Sequence, residues 1–439
     1  MASVDHQDVS DEYNLHRVAE MRLKNGSLSE KLRDISYLTF LLIGVALLWP
    51  WNAFLSASLY FQHDVFHDST VYAKIYISTM MSVSTLSSVG FNFWLSKRQH
   101  SYAVRVTRGL LWEVVVFGLL AVFVLVHNIF ALWFNFVFLM VMVMISSCGT
   151  AMTQNGAMAL ANVHGPQFSQ GIMMGQAIAG VLPSFVLFGV SFIGDSRDQS
   201  VAGIFAYFFT TVLVSMACIA LYRFSAVAKA DKSELLTEET GCGDRGELAN
   251  SATGTVAFST LFSKLKYLVL SIFTTFVVTL LFPVFAAHTL VVALPLHNAQ
   301  FIPLIFTVWN LGDLYGRYIS EKPFFQSSSF TPFTTFVYSV ARVALVPLFF
   351  CFNLNNRVKL SSTVLSDLGY IVLQFVFGVT NGNVLSVSFM KVSPALSSDK
   401  ERKAAGGFTN IFLSSGLAFG SLLSYACVYM VTAYTQKEE

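Results

Sequence analysis

The sequence predicts an all-α membrane protein with eleven transmembrane helices, six before a long polar loop and five after it. Three observations predict it. The 439 residues are 54% hydrophobic and only 12% charged, too apolar and too sparsely charged for an ordinary soluble domain. Apolar stretches of membrane-crossing length recur along the chain. The polar/apolar alternation that marks a transmembrane barrel is missing, which leaves helices as the means of spanning.

Taken in order, residues 1–34 mix acidic and basic side chains without helical periodicity and read as a cytosolic tail. The tail lacks the apolar core of a cleavable signal peptide, so the first span is expected to act as the insertion signal. Spans are expected at 35–59, 71–95, 109–128, 131–162, 168–193 and 201–222, then at 267–290, 301–320, 331–352, 367–390 and 404–432. Between the two sets, 223–266 carries mixed charges and the Gly241-Cys242-Gly243 triplet, and reads as a disordered cytosolic loop. The domain reading is a tail at 1–34, a six-helix half at 35–222, a loop at 223–266 and a five-helix half at 267–434. Lysine and arginine crowd the tail, the loop with Lys97, Arg98, Arg105 and Arg108, the central loop and 391–403, whereas 62–70 has neither. By the positive-inside rule the N-terminus is cytosolic and, with an odd span count, the C-terminus luminal or extracellular.

Several function classes drop out. A formal charge of +2 without a basic, aromatic-interleaved stripe argues against nucleic acid. Cys148, Cys218, Cys242, Cys351 and Cys427 are scattered and lack CxxC spacing, so they read as small apolar fillers and indicate neither metal nor disulfide framework. There is no nucleophile elbow, H-E-x-x-H helix or P-loop lysine motif, which argues against an enzyme.

Polar residues inside the spans remain to be explained. The eighth span holds Asn310-Leu311-Gly312-Asp313-Leu314-Tyr315-Gly316-Arg317, and ionisable groups there are expensive in lipid, so they mark an interior or wet cavity. Asp313 and Arg317 are spaced i, i+4 and share a helix face with Asn310 one turn earlier. An amide, a carboxylate and a guanidinium in a stripe can exchange hydrogen bonds with the hydroxyls of a neutral polyol. A lock at the cytosolic end of the bundle is the competing reading, because helix-end arginines snorkel. Gln154 and Gln176 suit the edge of a heterocyclic base, or act as interhelical glue. Trp51, about 24 Å into the first span, can stack on a planar ring, gate a path or sit in an interfacial belt.

Other features frame this set. Arg342 is a second intramembrane cation, with Asp313 or Asp367 as conceivable partners. Glu113 reads as an interfacial charge and His288 as a hydrogen-bonding group near the end of span seven. Glycines four apart at Gly171/Gly175, Gly312/Gly316, Gly378/Gly382 and Gly416/Gly420 predict close helix packing, and Pro50, Pro183, Pro283 and Pro347 predict kinks. Two multi-helix halves with polar residues in both suit a passive or secondary transporter.

Pro50-Trp51-Asn52-Ala53-Phe54-Leu55-Ser56-Ala57, Gly175-Gln176-Ala177-Ile178-Ala179-Gly180, the Asn310–Arg317 stretch and Asn381-Gly382 resemble the signatures of the equilibrative nucleoside transporter family. The resemblance covers Ile35 to about Tyr434. It implies a major-facilitator-like architecture short of one span. It also implies cofactor-free facilitated diffusion of purine and pyrimidine nucleosides by a monomer that exposes its site alternately. It further implies that Trp51 and Gln154 contact the base and that Asp313 and Arg317, helped by Asn310, engage the ribose hydroxyls. Leu48, Leu55, Gln176 and Asn381 stand as substrate-binding or packing positions. Asp313 in the membrane raises a proton-coupled nucleoside or nucleobase symporter as the alternative. Two departures bear on location. Gln62–Thr70 is short and lacks a glycosylation triplet, the only one being Asn25-Gly26-Ser27 on the tail. Asp231-Lys232-Ser233-Glu234-Leu235-Leu236 resembles an acidic dileucine signal. Together they favour a vacuolar or endolysosomal membrane over the plasma membrane, and a fungal or other lower-eukaryote member of the family.

Overall fold

Asp34 opens the first helix. Its Oδ1 accepts from the backbone N–H of Ser36 at 2.8 Å and of Tyr37 at 3.0 Å, satisfying two donors that the first turn would leave orphaned. The computed structural model describes residues 34–192, 201–225, 255–354 and 364–436. The glycosylation triplet, the dileucine hexapeptide and Cys242 lie outside them.

The main helices are α1 (Ile35–Ser56), α2 (Val71–Lys97), α3 (Tyr102–Val126), α4 (Leu132–His164), α5 (Pro166–Val190) and α6 (Val201–Phe224). They continue as α7 (Phe258–Thr279), α8 (Asn298–Ile319), α9 (Pro332–Ala341), α10 (Val364–Met390) and α11 (Asp399–Gln436). A short helix, Phe282–His288, follows α7, and a 3-10 stretch, Arg342–Cys351, extends α9. Among the described residues nine helical segments are long and apolar enough to cross a membrane, and the chain is a multi-pass integral membrane protein. Helices α2 and α8 are not in that set. Serines and threonines recur along α2 between Ser78 and Ser88, and α8 carries Asn310, Asp313 and Arg317.

Helix α7 begins at Phe258, inside the stretch 223–266 that the sequence reading assigns to the loop. The physical reason is amphipathicity. Leu261, Leu265 and Leu268 recur at helical spacing and are fully buried against Ala404, Ala405 and Phe408. On the same helix Lys264 pairs with Glu401 at 2.6 Å. An apolar window excludes such a turn; a helix accommodates it. The proline kinks divide. Pro50 and Pro183 stay within continuous helices, whereas Pro283 stands in the first turn of the short helix and Pro347 in the 3-10 stretch.

The helices run alternately up and down, so α1, α3, α5, α7, α9 and α11 all start at one face, here called the near face. Helices α1–α6 pack mainly on one another, as do α7–α11, and the two sets meet along α5 with α8 and along α2 and α4 with α11. Near-face hydrogen bonds close these seams. Ser96 donates to Gly407 O at 2.8 Å, Ser393 to Asn162 O at 2.6 Å and Asn162 Nδ2 to Arg402 O at 3.2 Å. Toward the far face, the Thr307 hydroxyl of α8 donates to Ser184 O of α5 at 2.9 Å.

Glycine sets the close contact between α8 and α10. A Cβ on Gly316 would meet Val379 O and lie 2.8 Å from Asn383 N, and one on Gly382 would meet Asp313 O and lie 3.0 Å from Arg317 Cγ. Gly312 and Gly378 interlock with Phe375 and Trp309 in the same way. With no side chains intervening, the two backbones share van der Waals and Cα–H···O contacts that lipid cannot supply. Gly316→Ala is therefore expected to lower thermal stability by roughly 1–3 kcal/mol, the usual range for overpacking. Gly118→Ala, with nothing within 4 Å of the added methyl, should be neutral or stabilising by about 0.5–1 kcal/mol. Thermal melts in one detergent compare them; equal effects would remove the α8–α10 contact from its assigned role.

Candidate functional site

Asp313 is 4% exposed, and a carboxylate at that depth needs a charge and hydrogen bonds in place of water. It has both. Oδ2 accepts from Arg317 Nε at 2.8 Å, and Oδ1 accepts from Asn381 Nδ2 at 2.6 Å. The Thr279 hydroxyl donates to Asn381 Oδ1, which fixes the amide's orientation. The sequence dictates the first contact through i, i+4 spacing, and the glycine interlock supplies the second by bringing α10 against α8.

Arg317 does more than neutralise. Its Nη1 crosses to α5, donating to Met173 O at 2.7 Å and lying 3.4 Å from Gln176 Oε1. In the opposite direction Gln170 Nε2 donates to Arg317 O. One guanidinium thus joins the Asp313 carboxylate to the backbone of the other helix set. Asp313, Arg317, Gln176 and Asn381 form one connected group.

The remaining expected residues lie outside it. Asn310 turns back on its own helix, Nδ2 donating to Phe306 O at 2.9 Å, and its Oδ1 faces Gly180 of α5 with Leu48 close by. It has no hydrogen bond to Asp313, so the continuous three-residue stripe read from the sequence is interrupted there. Trp51 is half-buried against the α1–α6 core, and Leu55 is exposed. Gln154 is half-buried on α4, and its Nε2 finds no hydrogen-bond partner. Sequence reasoning missed Met173, Gln170 and Thr279. Met173 acts through its backbone carbonyl, which leaves no trace in residue type, whereas Ser169-Gln170-Gly171 within an apolar span was a legible signal.

Three charged or titratable groups differ from their expected surroundings or partners. Arg342 pairs with neither Asp313 nor Asp367. Its Nε donates to Thr380 Oγ1 at 3.2 Å and its guanidinium lies 5.2 Å from the Phe377 ring centroid. Asp367 accepts instead from the backbone N–H groups of Val292, Ala293 and Leu294 at 2.8–3.0 Å. Glu113 is not interfacial, being 1% exposed and accepting from Ser146 at 2.8 Å and Thr150 at 2.9 Å. The helix begins at Tyr102, before the apolar span does, which carries Glu113 about 16 Å along it. His288 lies 2.8 Å from Val284 O, the hydrogen-bonding role expected of it.

Removing one member of a buried pair strands the other. Arg317→Ala is expected to lower stability by roughly 3–5 kcal/mol, and Asp313→Asn/Arg317→Ala by clearly less than that single change. Denaturation of both variants in one detergent checks this; a double variant no better than the single would mean that the pair is not the unit.

Residues 139–429 match the family model described as nucleoside transporter. The chain is 49% identical over 444 residues to nucleoside transporter FUN26 of Saccharomyces cerevisiae, covering 92% of this chain and 86% of that one. Equilibrative nucleoside transporter 1 of Homo sapiens is 24% identical over 445 residues, with 89% and 96% covered. A solved bacterial homologue of the iron transporter ferroportin, in an outward-facing state, shares the fold at a TM-score of 0.60 and 15% identity, with 90% and 95% covered. With this extent of match, the chain belongs to the equilibrative nucleoside transporter family.

Proposed function

We propose that this protein carries nucleosides, purine and pyrimidine, down their gradient by alternating access. Its eleven helices would all span the membrane in a six-plus-five, major-facilitator-like arrangement, with the near face cytosolic. The observation that carries this reading is the double engagement of Arg317, whose Nε holds Asp313 while its Nη1 holds Met173 O on α5. The same group therefore belongs to the candidate substrate contact and to the near-face closure.

The chemistry follows from that double role. A ribose hydroxyl reaching Asp313 donates to the carboxylate and accepts from the guanidinium, replacing the direct Arg317–Asp313 bond. Charge-assisted hydrogen bonds contribute about 1.5–3 kcal/mol each, so exchanging one for another is close to neutral overall and the site never holds a bare charge. Re-aimed toward the ribose, Arg317 releases Met173 O, and α8 can separate from α5. Asn381 keeps Asp313 oriented throughout from Oδ1. An uncharged substrate leaves the Asp313–Arg317 pair neutral, so the exchange requires no coupled ion. On the opposite helices Gln154 supplies a free amide donor to the base edge and Trp51 a ring to stack on it. Leu48 and Asn310, facing one another across Gly180, line the path between the halves. The short far-face loop and the dileucine hexapeptide favour a vacuolar or endolysosomal membrane.

Uptake of radiolabelled uridine and adenosine into proteoliposomes without any ion gradient tests the reading. Equilibrating uptake is expected, with 2′,3′-dideoxynucleosides competing about tenfold or more less well, the loss of one or two good hydrogen bonds. No uptake by folded protein would overturn it. Equal competition by the dideoxy compounds would remove Asp313 and Arg317 from ribose recognition, and accumulation driven by an imposed proton gradient would establish the symporter instead.

A further inference from the structure

The near-face ends of α2 and α3 gather positive charge that no acidic residue answers. Lys97 and Arg98 at the end of α2 and Arg108 on α3 are exposed, and none joins an ion pair among the described residues. Elsewhere on the same face Lys264 pairs with Glu401 and Arg402 with Asp399.

The local geometry turns these cations toward lipid. Lys97 Nζ lies 4.4 Å from the Phe93 ring centroid and the Arg98 guanidinium 4.1 Å from that of Trp94. Trp94 stacks on Phe91 at 5.3 Å, and Phe91 reaches Trp112 of α3 at 6.3 Å. Trp94 and Trp112 are 44% and 38% exposed, so an aromatic surface spans both helices, with Lys97 and Arg98 held over its rings and the exposed Arg108 one helical turn before Trp112. Amphipathic rings with basic residues one turn beyond them mark the headgroup level of a bilayer. Cations already held over rings also lose less freedom on binding an anion than free side chains would.

A second observation concerns the helix end itself. The last carbonyls of α2 carry partial negative charge that would oppose an anion. Arg105, buried behind them, removes the obstacle. Its Nη1 donates to Leu95 O at 3.2 Å and its Nη2 to Arg98 O, while Asn155 Oδ1 anchors the same guanidinium at 2.6 Å. The carbonyls are thus satisfied from inside, and the outward-facing charge of the corner is positive.

We propose that this corner, formed by Lys97, Arg98 and Arg108 with the Trp94 and Trp112 rings, binds the phosphate headgroup of an anionic phospholipid. The rings contact the glycerol and upper acyl chain, and the cations take the phosphate. A soluble phosphate would use the cations but leave the aromatic surface unoccupied, which is why the lipid is the assigned ligand.

Native mass spectrometry of the full chain, released from micelles holding equal phosphatidylserine and phosphatidylcholine, tests this. Retention should favour phosphatidylserine, and each cation replaced in the series R98Q, K97Q/R98Q and K97Q/R98Q/R108Q should cut that preference by about fivefold. K264Q should leave it unchanged. Uridine uptake in pure phosphatidylcholine vesicles and the melting temperature there should match wild type for every variant, which separates lipid binding from folding. Equal retention of the two lipids by wild type, or a preference that survives the triple change, would overturn the proposal. Displacement of the retained lipid by millimolar inorganic phosphate would overturn it too, assigning the corner to a soluble anion.

Discussion

A carboxylate inside an apolar bundle must be answered from several directions at once, and the architecture around Asp313 follows from that requirement. One answer comes from its own helix, Arg317 one turn on. The other comes from Asn381, which reaches Asp313 because glycines on α8 and α10 let the two backbones meet without side chains between them. A guanidinium has more donors than one carboxylate oxygen can use, and the spare ones find Met173 O on α5. Charge neutralisation, helix packing and the contact between the two helix sets are therefore one problem with one solution. The proposed latch is local, and it lies on a seam between the two helix sets.

The remaining buried charges are handled by a different device. Glu113, Asp367, Arg342 and Arg105 have no ionic partner among the described residues and rely on neutral groups: two hydroxyls, three backbone N–H groups, a threonine with an aromatic ring, and an amide oxygen with two backbone carbonyls, respectively. Each sits within one helix set. Among the buried charges of the described residues, only the Asp313–Arg317 pair uses an ion pair and also reaches across the seam. That contrast sets the charges that brace one helix set apart from the pair proposed to change partners during transport.

Much of this was legible in the sequence, for identifiable reasons. The all-α membrane class follows from composition, and the Asp313–Arg317 pairing from i, i+4 spacing, because both are local or summed properties. The four-residue glycine spacings marked the helices that approach closely, although not which helix each would meet. What escaped was part long-range and part local. The Arg317–Met173 bond is made to a backbone carbonyl, so no residue type announces it. Asn310 shares the face of Asp313 by periodicity, yet its amide is taken by Phe306 O on its own helix. Glu113 was misplaced because apolarity begins later than the helix does, and the start of α7 because an amphipathic turn carries lysines on one side and buried leucines on the other.

If Arg317 holds the near face shut, its removal must be visible there as a change in distance. Spin labels at R223C and K322C, both exposed near-face positions on opposite helix sets, report that separation by pulsed electron resonance on a cysteine-free background. A single short-distance population is predicted without substrate, and Arg317→Ala, or saturating nucleoside, should add a longer one. A distribution unchanged by either would contradict the latch, and with it the link between ribose recognition and opening.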